Sequence, residues 1–75
     1  MSSELHILIF RTNIRSKKDL NAVDKALSSF PDITRWNVDR QDIDKVLRIE
    51  SVSHIPHEII SSVQSAGYAC SELED

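Results

Sequence analysis

A single cysteine, a single glycine, two prolines and 5% aromatic residues are the scarcest features of this 75-residue chain, and each scarcity removes a class of function. Cys70 cannot form an internal disulfide, so nothing calls for an oxidising compartment, and the reducing cytoplasm is the expected location. Gly67 alone cannot build a glycine-rich cradle for phosphate groups. The longest apolar stretch, residues 5–10, is interrupted by His6 and is too short for a membrane span or a signal-peptide core, so no membrane insertion is expected. Aromatic residues are too few to stack bases, and a formal net charge of -3 does not neutralise phosphates, so nucleic acid is not an expected partner. Three scattered histidines and the serines assemble no nucleophile, base and orienter, so the chain does not read as an enzyme.

What is present belongs to a compact globular chain: 40% hydrophobic and 28% charged residues. The length fits one small domain over residues 1–75, with an ordered core at about 5–73 and a thin interior. Charge is unevenly spread. Arg11, Arg15, Lys17 and Lys18 cluster early, whereas Asp39, Asp42, Asp44, Glu50, Glu58, Glu72, Glu74 and Asp75 make the second half acidic.

Periodicity divides the chain into six elements. Residues 5–10 are β-branched and aromatic and apolar on both alternating faces, which predicts a central strand; Ile7 and Ile9 share one face, Leu8 and Phe10 the other. Ser16 and Asp19 form the Ser-x-x-Asp signature of a helix start, and Leu20, Val23, Leu27 and Phe30 follow at helical spacing. That helix should end by Ser29 or Phe30, because Pro31 disfavours helical geometry in the residue before it. Residues 33–39 alternate as a strand, with Thr34, Trp36 and Val38 on one side and Arg35 and Asn37 on the other. An Asp-rich connection leads to a returning strand at 45–50, with Leu47 and Ile49 inward. Pro56 suits the first position of a second helix, whose buried stripe is Ile59, Ile60, Val63 and Ala66 and which Gly67 terminates. Residues 68–73 supply a last strand. The order βαββαβ predicts the α+β, ferredoxin-like fold: a four-stranded antiparallel sheet carrying two helices on one face.

Several segments resemble a heavy-metal-associated (HMA) domain, a family of metal transport and delivery. They are Phe10-Arg-Thr-Asn-Ile14, Ala22-Val-Asp-Lys-Ala-Leu27, Trp36-Asn-Val-Asp39, Lys45-Val-Leu-Arg-Ile49 and Ala66-Gly-Tyr68, in family order over roughly residues 5–73. The resemblance implies a loop Met-x-Cys-x-x-Cys that binds copper(I), zinc or a related soft ion, and its three positions fall here on Ile14, Ser16 and Asp19. A hydroxyl and a hard carboxylate lack the polarisable sulfur that copper(I) needs, so metal binding at this loop is expected to be lost or altered and no cofactor is expected. As a capping box the same two residues stabilise the helix by about 1 kcal/mol each. Lys17 and Lys18 then stand against the helix dipole, a placement that costs a few tenths of a kcal/mol and suits an acidic partner. The resemblance implies face-to-face docking around this loop, so Arg11, Arg15, Lys17 and Lys18 are candidate docking residues for another HMA-like domain or an acidic protein surface. Two further readings come from the residues themselves: a metal site from His54 and His57, with Cys70 or Glu58 to complete the set, and self-association through aliphatics on the open face of the sheet.

Overall fold

The computed structural model describes residues 5–73; Glu74 and Asp75, the last of the acidic residues, lie outside the described residues with 1–4. The elements run β1 (His6–Thr12), α1 (Lys17–Leu27), β2 (Ile33–Asp39), β3 (Val46–Ser51), α2 (Pro56–Ser65) and β4 (Cys70–Glu72). They form the ferredoxin-like arrangement, with one antiparallel sheet in the order β2-β3-β1-β4. Alternation along β1 and β3 turns Leu8, Phe10, Leu47 and Ile49 to one face, where Val23 and Leu27 of α1 and Ile59 and Val63 of α2 close over them. Each such side chain removed from water contributes roughly 1.5–3 kcal/mol. No described helix is long and apolar enough to cross a membrane.

The elements depart from the sequence expectation at their ends, for identifiable reasons. β1 runs on through Arg11 and Thr12 because β4 offers them partners, Ser71 and Cys70. Lys45 falls outside β3: its φ of 47° makes it part of the turn. α1 stops at Leu27, with Ser28 as its C-cap, ahead of Pro31. In β2 a register shift between Ile33 and Arg35 leaves Thr34 out of the ladder, so Ile33, and not Thr34, joins Trp36 and Val38 against the core. Such a bulge reverses the facing of every residue before it. β4 is only three residues long, and Tyr68, Ala69 and Leu73 lie outside it.

α2 starts on Pro56, whose missing N–H is one the first turn would leave unpaired. It ends in a Schellman motif: Gly67, at φ 99°, donates its N–H to Gln64 O at 2.9 Å, and Tyr68 donates to Val63 O at 3.3 Å. A side chain would strain this left-handed position. On the open face of the sheet Ile7 is 44% exposed and Ile9 half-buried, opposite Glu50 and Arg48 of β3.

Candidate docking loop

Strand directions bring three connections to one end of the molecule: the β1–α1 loop, the β2–β3 hairpin and the α2–β4 turn. Thr12 joins the first two. It donates its N–H to Asp44 O (3.0 Å) and its hydroxyl to Lys45 O (2.5 Å), and its Oγ1 accepts from Ile14 N (3.3 Å). Asn13 joins the third, accepting at Oδ1 from Ala69 N at 3.0 Å. Ile14 is fully buried and anchors the loop in the core. The loop is therefore fixed on both sides before the helix begins.

At that start Ser16 is extended and caps α1. Its Oγ accepts from Asp19 N at 3.2 Å, while Asp19 Oδ2 accepts from Ser16 N at 3.1 Å and from Arg15 N at 3.0 Å. The other carboxylate oxygen, Oδ1, accepts from the Tyr68 hydroxyl at 2.8 Å, so the Schellman turn that ends one helix latches onto the cap that starts the other. Donation from Arg15 N–H, then from Tyr68 and from Ser16, holds the Asp19 carboxyl down at about 2, because each bond favours the anion. The same contact with the anion raises the Tyr68 hydroxyl above its ordinary range. Tyr68 lies 49 residues from Asp19 in the chain, and no local pattern announces the bond. The Ala-Gly-Tyr turn that placed it was legible; its reach was not.

These bonds decide what the two positions can do chemically. Asp19 already accepts three hydrogen bonds, and Ser16 Oγ is committed to the helix amide. A soft cation finds no sulfur, and a hard cation would need about six oxygens where these two residues supply few that are free. The donor set does not fit the metal that the loop's frame implies.

The cations around it divide unequally. Arg15, Lys17 and Lys18 are exposed. Arg11, which projects from β1, pairs through Nε with Asp44 Oδ1 at 3.2 Å and is in part neutralised by its own chain. Among the described residues this is the one ion pair, so three of the four expected docking cations face solvent without an acidic partner. Asp39 and Asp42 of the neighbouring hairpin serve as turn formers, accepting from Gln41 N (3.1 Å) and Asp44 N (2.8 Å). Ile43, between Asp42 and Asp44, is 91% exposed.

The histidine–cysteine set is not assembled. Cys70 is buried opposite Thr12 at one end of β1, whereas the His54 ring lies beside His6 at the other. Six residues of strand, about 20 Å, separate them. Burial raises the Cys70 thiol to about 11, so it is held protonated. His57 sits exposed in the first turn of α2. Among the described residues, no three His, Cys, Asp or Glu side chains converge in a way that could hold a metal ion.

No family model matches this sequence, and no curated protein matches it. Solved structures do match in shape. The N-terminal domain of ZntA in its apo form superposes with a TM-score of 0.82 at 14% identity, over 95% of this chain and 96% of that one. The N-terminal domain of PacS from Synechocystis PCC6803 gives 0.76 at 16%, over 92% and 98%. The apo HMA domain of the copper chaperone for superoxide dismutase gives 0.75 at 15%, over 95% and 69%. Its structural neighbours are heavy-metal-associated domains, and the chain shares their fold.

Proposed function

We propose that this chain is a protein-docking module on a heavy-metal-associated frame, in which the loop that would hold a soft metal has become scaffold and the basic residues beside it are the working surface. On this reading it is a binding domain, not an enzyme, and carries no metal at Ser16 or Asp19. The observation behind it is the four-bond network of Arg15, Ser16, Asp19 and Tyr68, which occupies most of the lone pairs that Ser16 and Asp19 could offer a ligand set. That network also fixes the backbone from which Arg15, Lys17 and Lys18 project.

The charges favour an acidic partner. Three exposed cations at a helix N-terminus repel one another and the helix dipole, and a carboxylate-rich surface relieves both. A domain of the same fold with an acidic loop face meets this requirement, as the structural likeness to the HMA domain of a copper chaperone suggests.

The test is an NMR titration at low ionic strength with such an acidic domain of the same fold. Amides of residues 15–19 should shift, and Lys17→Glu with Lys18→Glu should abolish the shifts. Equal shifts in the double variant would overturn the proposal.

A further inference from the structure

Sequence spacing pairs His54 with His57, but folding pairs it with His6. The ring centres of His6 and His54 lie 5.7 Å apart, at an interplanar angle of 65°. Their meeting has a structural cause. His6 opens β1 opposite Ser51, the last residue of β3, and His54 follows three residues later. The intervening chain is turned back by Val52 N–H donating to Asp32 O (2.9 Å), Ser53 N–H donating to Ser51 Oγ (3.1 Å) and the Ser53 hydroxyl donating to Asp32 Oδ2. Pro56, buried at the first position of α2, sets the exit. Four hydrogen-bonded or buried groups thus hold the segment that presents one ring to the other.

From this geometry we infer that His6 and His54 form a two-imidazole site for a divalent late transition ion, copper(II) above nickel(II) or zinc(II), at the end of the domain opposite the docking loop. Two ring nitrogens about 2 Å from a shared ion put the ring centres about 4.5 Å apart at the right angle of a square plane, about 5 Å at a tetrahedral angle and about 6 Å in line. The 5.7 Å found lies between these limits. Turning each ring about its last torsion, which is broad for histidine, aims the nitrogens without moving the backbone. His54 is exposed and His6 half-buried, so an ion reaches both from solvent. With no third His, Cys, Asp or Glu in place among the described residues, the ion keeps open positions for water. Imidazole suits copper, nickel and zinc, and copper(II) heads the order of affinities. The site is independent of the docking loop, and neither reading depends on the other.

The test is a titration of the untagged full chain with copper(II) sulfate, nickel chloride and zinc chloride by calorimetry, with paramagnetic broadening of the histidine ring protons followed for copper(II). One equivalent should bind, with the His6 and His54 rings broadened before His57. Loss of even a hydrogen-bonding partner behind a ligand lowers metal affinity about 10–100-fold, so His54→Ala should cost at least about tenfold. His6→Gln should cost the same, with the fold checked by circular dichroism, and His57→Ala should leave affinity within about twofold. His54 is exposed, so its variant reports on the site even if His6→Gln unfolds. The inference is overturned if His57→Ala weakens binding as much as His54→Ala, or if His54→Ala binds like the parent chain.

Discussion

Ser16→Ala removes one acceptor from a network of known composition, which makes its cost calculable. The lost bond is the one from Asp19 N–H to Ser16 Oγ; the bonds from Arg15 N, Ser16 N and the Tyr68 hydroxyl to Asp19 do not involve the deleted atom. The stranded amide lies at an exposed helix end where water can reach it, so the loss belongs near about 1 kcal/mol in the range of about 0.5–2 kcal/mol for N-cap replacements. In a domain of this size 1 kcal/mol lowers the melting temperature by roughly 4–8 °C. Thermal unfolding followed by circular dichroism reads this directly. Ser16→Thr, which keeps a capping oxygen, should recover most of the loss. Ser29→Ala, which removes an exposed hydroxyl bonded to Ala26 O at 3.0 Å beyond the helix end, should cost less. A Ser16→Ala melting point within about 1 °C of the parent would refute the claim that this position is a cap.

The Asp19 carboxyl is held at about 2 in the folded chain, below its unfolded value. Its stabilisation is therefore complete above the unfolded value, near 4, and is lost as pH falls through the folded value. Urea midpoints of the parent and of Asp19→Asn should converge on acidification; a difference persisting unchanged at pH 2 would contradict this. The Cys70 thiol, raised to about 11 by burial, favours folding below its unfolded value, and that contribution is lost as pH rises through about 11. At pH 8 the native thiol should be inert to aromatic disulfide reagents and should react only after urea unfolding; rapid native reaction would show it accessible. Leu47→Ala, in the fully buried centre of β3, should cost about 2–5 kcal/mol against a total stability of roughly 4–11 kcal/mol for this length. A loss below about 1 kcal/mol in urea unfolding would mean the core is not built as described.

What could be read before folding was whatever is local. Ser16 and Asp19 stand three apart, so their capping box was visible as spacing; Pro56 and Gly67 bracketed α2 because each acts on its own backbone. The alternation of Leu8 and Phe10 and of Leu47 and Ile49 gave the core. What could not be read depends on partners far away in sequence. Arg11 and Thr12 extend β1 only because β4 lies alongside, and the bulge at Thr34 appears only in the register of β2 against β3. Tyr68 reaches Asp19, and His54 meets His6 instead of His57, through turns whose direction no spacing rule contains. The site was thus legible in its frame and caps, and illegible in its latch.

The claim that the loop is scaffold and not a ligand set is tested most directly by titrating the nitrogen-15-labelled chain with copper(I) under reducing conditions while following the amides of residues 14–19. The variant carrying Ser16→Cys and Asp19→Cys serves as the positive control. A scaffold loop gives no saturable shift at Ser16 or Asp19 in the parent chain and a one-equivalent shift in the variant. Saturable one-equivalent shifts at Ser16 and Asp19 in the parent chain would contradict it.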